Sequence, residues 1–280
     1  MRYSHHLISP WLILLFILSC GGSDSGAREN LREARNAFEK GNYNLAKLKI
    51  DSIKILYPKA FDEIDAGFKL MQEIRMTENR RNIIYCDSML RVNYIALSKL
   101  LNDFDYVRDS RYQEFGEYYP KTYPLHSSLE RNGLRSGVQE RGGLFIESVL
   151  AGNAIQHNRI RVTAADGSYA ESGRVTADGF NYRFSTLNRN YEIVRFTGSD
   201  ENGVAAYIHA YRDQPLTLHF IGNRTVNTAL NDAAKKGISL SFELSTLLLY
   251  IEQLKFEKER SEVLIRYLES RANSLQQNKR

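Results

Sequence analysis

Four histidines lie beyond the first twenty residues, His126, His157, His209 and His219, and they bound the chemistry open to this chain. No two share a helical ligand spacing, and there is neither a His-Glu-x-x-His motif nor a Cys/His cluster, so no metal-ligand set is predicted. His209 and His219 fall in neighbouring alternating runs. A turn at residues 212–215 puts His209 opposite Leu218, which points the two rings to opposite sides of a sheet. There is no Gly-x-Ser-x-Gly elbow and no Walker loop. The stretch Gly198-Ser-Asp-Glu-Asn-Gly203 lacks the alternating ligands and terminal glutamate of a calcium loop and reads as a polar hairpin tip. Cys86 sits on an apolar face between Ile83 and Leu90, where a thiol acts as a small hydrophobe. The residues predict no catalytic site, no metal and no cofactor.

Composition narrows the partners. The 280 residues are 42% hydrophobic, enough for a sizeable core. The net charge of +5 comes from bases interleaved with acids, as in Lys255-Phe256-Glu257-Lys258-Glu259-Arg260. That pattern is a solvated helix face and argues against nucleic acid as a partner. With Cys20 assigned to the leader junction, Cys86 stands alone and no internal disulfide framework is expected.

The elements that would position any site fall into three blocks. Residues 27–58 hold two amphipathic helices: Leu31, Ala34 and Phe38 mark the first, and Ala46, Ile50, Ile53 and Tyr57 the second. The series Phe38-x-x-Gly41-x-Tyr43-x-x-Ala46, closing at Pro58, resembles a tetratricopeptide unit, in which the glycine permits the turn and the alanine lets the helices approach. That resemblance implies a helical hairpin of about 32 residues and, beside Tyr43 and Tyr57, a groove able to take a peptide.

Two longer helical patterns follow, at about 59–104 and 231–276, each about 69 Å long at 1.5 Å per residue. The second carries Leu240, Leu244, Leu247, Ile251 and Leu254, then Ile265, Leu268, Ala272 and Leu275, in steps of three and four that predict a coiled-coil seam. Their equal length suggests an antiparallel stalk formed by residues 59–105 and 230–280. Aligning Phe104 with Asn231 sets Lys258 opposite residue 77 and Ser261 opposite residue 74. The expectation is a polar layer in which Glu78 pairs with Lys258, completed by Arg75 and Asn82.

Between them, residues 140–229 read as β-structure. Phe180/Tyr182/Phe184, Val204/Ala206/Ile208/Ala210 and Leu216/Leu218/Phe220 read as alternating runs, and Asp166-Gly167 and Asp178-Gly179 are hairpin turn signals. Residues 106–139, rich in Tyr, Gly and Pro, read as an irregular connector in which Tyr118 and Tyr119 could form a contact surface. The fold class is α+β, with a small antiparallel β-sandwich or open barrel inserted between two stalk helices.

The first twenty residues end Ile17-Leu18-Ser19-Cys20-Gly21. An apolar run from Leu7 to Leu18 behind Arg2 is too short to span a bilayer and has the form of a secretory signal, residues 1–19. Its end resembles the lipobox of bacterial lipoproteins, which implies an acyl group on Cys20 and a short tether over residues 20–26. Gly21, and not aspartate, follows the cysteine. That implies the outer membrane, facing the periplasm, with surface exposure open.

Asp51-Ser52-Ile53 and Asp87-Ser88-Met89 resemble the Asp-Ser/Thr-apolar acceptor for O-glycosylation of exported proteins in Bacteroidetes, which implies modification at Ser52 and Ser88. The lipobox, Ile55-Leu56-Tyr57-Pro58-Lys59-Ala60, Tyr85-Cys86-Asp87-Ser88-Met89-Leu90 and Asn202-Gly203-Val204-Ala205-Ala206-Tyr207-Ile208 together resemble an uncharacterised family of Bacteroidetes envelope lipoproteins. The family supplies no activity. The reading is a non-enzymatic envelope protein, anchored to the membrane through its N-terminal lipid and presenting a β-domain to a protein partner or to itself. A tetratricopeptide-like adaptor is the alternative and glycan binding the third.

Overall fold

A computed structural model describes residues 22–122, 131–152, 154–176, 181–186 and 189–277. The chain is α+β and divides into two compact units, residues 1–86 with 257–280 and residues 87–256.

The helical unit contains α1 (Gly22–Glu39), α2 (Tyr43–Leu56), the first part of α3 (Phe61–Leu100) and the last part of α5 (Asp232–Gln277). Gly41 turns the chain between α1 and α2 at φ +74°, a conformation that disfavours any side chain. Asn42 then caps α2, its side chain accepting from the Leu45 N–H at 3.2 Å. Ala34, Ala37 and Ala46 are buried together with Ile50, Leu70 and Ile74, so small residues let α1, α2 and α3 approach closely. A second cluster of Ala27, Ile53 and Ala60, with Tyr57 against it, joins the start of α1 to the end of α2.

In this unit α3 and α5 run antiparallel. Asn82 donates to the Ser261 hydroxyl at 2.9 Å, and Arg271 lies over the Phe68 ring at 5.1 Å. The heptad residues Leu268 and Ser261 are buried, in keeping with a seam. The expected register is corrected: Ser261 meets Asn82, not residue 74, a slip of about two helical turns. The Glu78–Lys258 layer is replaced by other pairs, Glu78 with Lys47 of α2 at 2.8 Å and Lys258 with Glu262 at 3.9 Å. A third helix lies beside the pair, and α2 supplies the cation that Glu78 takes.

The strand-bearing unit holds a six-stranded and a four-stranded antiparallel sheet. The first is built from β1 (Phe104–Val107), β2 (Glu117–Pro120), β3 (Gly133–Gln139), β4 (Leu144–Gly152), β7 (Asn181–Thr186) and β8 (Arg189–Thr197), in the order β1-β2-β3-β4-β8-β7. The second is built from β5 (Arg159–Ala164), β6 (Tyr169–Glu171), β9 (Leu216–Ile221) and β10 (Thr225–Ala229), in the order β10-β9-β5-β6. Alternate residues of β5 and β9, namely Ile160, Val162, Leu216, Leu218 and Phe220, are buried in one core with Ile146, Leu150, Val194 and Phe196 of the larger sheet. This is the packing of a sandwich. The start of α5 closes one edge, with Ala234 and Ile238 in the same core.

Two expectations change here. Residues 106–139 are not an irregular connector, since they carry half of β1 and all of β2 and β3. Tyr118 and Val138 pair across these strands and share a cluster with Phe104 and Leu244. The run at 204–210 is a helix, α4 (Val204–Ala210), and not a strand. Gly203 adopts φ +78° before it, the Glu201 carboxylate accepts from the N–H groups of Gly203 and Ala205, and Val204, Ala205 and Ile208 are buried at helical spacing. Alternation of small apolar residues fitted both periods, and the cap decided between them. The Asp166-Gly167 turn does join β5 to β6. Asp178-Gly179 lies outside the described residues.

Candidate functional site

The helical unit holds an open cavity of about 810 Å³ between α2, α3 and α5. Tyr43, Lys47, Arg75, Arg81, Tyr85 and Arg260 line it, and its two acids are Glu78 and Glu257, so cations outnumber carboxylates four to two. Arg81 donates to the Tyr43 hydroxyl at 3.1 Å and stands 5.5 Å from that ring's centre. This holds the guanidinium at the rim with donors to spare. Glu78 is engaged by Lys47, and Arg260 is 3.6 Å from Glu257. Arg75 is exposed on the cavity wall and forms no ion pair of this kind among the described residues. Tyr43, at the start of α2, lines the cavity. Tyr57 does not line this cavity; it packs on α1, and a Cβ on Gly26 would fall 2.3 Å from its hydroxyl oxygen.

The strand-bearing unit contains a hydrogen-bonded chain that the sequence reading missed. The Ser148 hydroxyl lies 2.7 Å from His157 Nε2, and His157 Nδ1 lies 2.7 Å from Glu192 Oε2. These are the dimensions of a nucleophile–base–acid triad. Ser148 and His157 are fully buried and Glu192 is 1% exposed, however, so no substrate reaches the hydroxyl. The Glu192 carboxylate also accepts from the backbone N–H groups of Ile155, Gln156 and His157 at 3.0, 2.7 and 2.9 Å. Burial raises its pKa, but these bonds and the one from His157 outweigh it and hold the carboxyl at about 2. The arrangement is a brace. One side chain of β8 satisfies three consecutive amides of the segment leading into β5, where Gln156 takes the strained φ of +53°. A readable signal existed: Glu192 is in phase with the inward Val194 and Phe196, and Ser148 with Ile146 and Leu150.

On the other face of the six-stranded sheet, Arg195 lies over the Phe145 ring at 3.9 Å and pairs with Glu147 at 2.7 Å and Glu117 at 2.8 Å. Burial lowers the Arg195 pKa, but the two carboxylates raise it further, so the guanidinium stays charged. Arg135 pairs with the remaining oxygen of Glu147. Tyr119 is buried, hydrogen-bonded to Glu117, and its pKa is pushed up first by burial and then by that carboxylate. Tyr118 is partly buried against β1. Neither tyrosine is presented as a contact surface. The exposed aromatics of this sheet are Tyr106 on β1 and Tyr182 and Phe184 on β7, and Phe184 stacks on the partly buried Tyr191 of β8 at 5.0 Å.

Of the remaining expected positions, Ser52 lies on α2, its hydroxyl donating to the Leu48 carbonyl at 2.8 Å, and Ser88 is exposed on α3. Cys86 is buried. His209 belongs to α4, 3.7 Å from Glu243, and His219 lies between Thr163 and Asn227 at 3.1 and 2.8 Å, so the two rings are separated by fold and not only by strand phase. Among the described residues no His, Cys, Asp and Glu group is placed to hold a metal ion, and no helix is long and apolar enough to cross a membrane. Cys20 and His126 lie outside the described residues. Comparison with protein-family models, curated proteins and solved structures gives no match.

Proposed function

We propose that this chain is a non-enzymatic, lipid-anchored envelope protein whose helical unit is a tetratricopeptide-like adaptor for an acidic segment of a partner macromolecule. The observation that carries this reading is the open cavity beside Tyr43, with its excess of arginine and lysine and with two tyrosines on its wall. Long-range attraction by such a cluster favours acidic partners and fades with salt. The leader and the Cys20 lipobox support export and an outer-membrane anchor, with the periplasm as the favoured side. The sealed Ser148–His157–Glu192 chain supports a scaffold role for the strand-bearing unit, which the anchored chain would present to the envelope.

A second reading, glycan contact, is favoured by the exposed Tyr182 and Phe184 on the edge strand β7 of the larger sheet, since aromatic faces stack on sugar rings. The two are separated by placing a photo-crosslinking residue at Tyr43 or at Tyr182 in the native host. Capture of one envelope protein from position 43, weakened in an Arg75→Glu/Arg260→Glu variant, supports the adaptor. Capture from position 182 alone, or an unchanged yield in the charge-reversed variant, sinks it. O-glycan occupancy at Ser52 and Ser88 is read from the mass of the native protein before and after glycan removal. Self-association is the outcome if only this chain is captured.

A further inference from the structure

Three large, strongly exposed apolar side chains of the helical unit gather at one end of its hairpin, while the comparably exposed Ile84 stands apart on α3. Ile55 and Phe61 are 74% exposed and Leu56 is 63% exposed, all around the turn from α2 to α3. Lys54 and Lys59 are exposed at the same turn. Single exposed leucines carry no message, but three large apolar side chains at one turn form a patch.

The position of the turn supplies the occupant. It packs on the first turns of α1, because Ala27, Ile53 and Ala60 form one buried cluster with Leu31 and Tyr57, and the Tyr57 ring lies against Gly26. α1 begins at Gly22. Cys20 precedes that helix by two residues, which span about 7 Å when extended. An acyl chain on Cys20 therefore holds this end of the hairpin, and no other, against the bilayer.

We propose that the α2–α3 turn is a membrane-interface contact, in which Ile55, Leu56 and Phe61 enter the boundary between headgroups and acyl chains and Lys54 and Lys59 sit at phosphate level. Its geometry rests on the lipid-anchor reading given above. Apolar and aromatic side chains flanked by lysine are the composition that favours this layer. Asp62 is exposed at the turn and Asp51 one helical turn earlier, while Glu63 is 3.7 Å from Arg28. The local charge is thus mixed, and the three apolar side chains drive the contact with the lysines setting its depth. A second surface signal of this kind would fix the orientation of the cavity beside Tyr43 relative to the membrane plane, which a single acyl anchor would leave free; α1 begins at Gly22, so residues 22–26 are helix and not the tether the sequence suggested.

The test uses residues 21–280 without an acyl group, floated with vesicles of phosphatidylethanolamine and phosphatidylglycerol. The unacylated chain is expected to float with the lipid, and Ile55→Ser/Leu56→Ser/Phe61→Ser to lose about tenfold or more of that partitioning. Leu249→Ser, which removes an equally large exposed side chain of α5, is expected to leave it unchanged. Circular dichroism of the triple variant checks that its helices persist. The proposal is overturned if the unacylated chain stays in solution at millimolar lipid, if the triple variant floats as well as the parent, or if sedimentation shows the patch consumed in a dimer that the triple variant dissolves. Acylation itself is read separately, from the mass of the N-terminal peptide of membrane-extracted protein. An unmodified Cys20 would remove the anchor reading, whereas flotation alone judges the turn.

Discussion

Replacing Glu192 by glutamine is the sharpest test of the brace between β8 and the segment entering β5. The carboxyl is held at about 2 against an ordinary value of 4.5. A difference of about 2.5 units at ~1.4 kcal/mol each gives about 3 kcal/mol of stability from the ionised form. Because the folded value is depressed, that contribution is complete above pH ~4.5 and is lost as pH falls from about 4.5 towards 2. Glutamine keeps the shape, so no cavity opens. Its single oxygen can serve the Ile155 and Gln156 amides, but its NH₂ group faces the His157 N–H and ring. The imidazole can answer by exchanging its proton with Ser148; the backbone N–H cannot. One orphaned amide and the lost charge-assisted bonds amount to about 3 kcal/mol, in agreement with the titration figure. Hydrogen exchange read by mass spectrometry on peptides covering residues 154–164, in a urea series at pH 7, measures the loss locally and avoids assuming one transition for two units. The wild type is also expected to weaken between pH 4.5 and 2 in a way the variant does not. A difference below about 1 kcal/mol at pH 7, or the same acid-induced loss in both proteins, would refute the reasoning.

Other perturbations are smaller or bear on other parts of the chain. Arg195→Ala leaves Glu117 and Glu147 without their shared cation and should cost about 3–5 kcal/mol by urea unfolding. Arg195→Lys should recover only part of this, because an ammonium cannot bridge both carboxylates while lying flat on Phe145; full recovery would contradict the role given to the guanidinium plane. Gly41→Ala puts a side chain at φ +74° and should lower the stability of the helical unit by about 1 kcal/mol, seen as a drop in its thermal midpoint. In a double-mutant cycle, Asn82→Ala and Ser261→Ala should show a coupling of about 1 kcal/mol. Strict additivity would mean that the 2.9 Å bond between them carries no register energy.

Much of the architecture was legible because local patterns and tertiary demand coincide. The Gly41 turn, the α2 seam of Ala46, Ile50 and Ile53, the Asp166-Gly167 hairpin and the alternation of Leu216, Leu218 and Phe220 each have a single low-energy local solution that the core also requires. The 204–210 segment failed for the opposite reason. Its small residues satisfy either period, and the deciding contacts, a left-handed Gly203 and the Glu201 carboxylate, lie just outside the window being read. β1, β2 and β3 are short or rich in Gly and Ser, and gain their strand character from pairing with one another and with β4.

The cavity beside Tyr43 was half legible. Tyr43 comes from the hairpin, but Arg75, Arg81 and Arg260 come from two further helices, where Ser261 meets Asn82 and not residue 74. The sequence by itself determined the hairpin and long helices and the turn chemistry at Gly41 and Asp166-Gly167, because these depend on residues a few positions apart. Only the tertiary structure decided which of several equivalent registers α3 and α5 adopt, which cation Glu78 takes, and that Ser148, His157 and Glu192 meet in the core. Those outcomes are set by packing among residues far apart in the chain, where a shift of a turn changes every polar partner while leaving the apolar pattern intact.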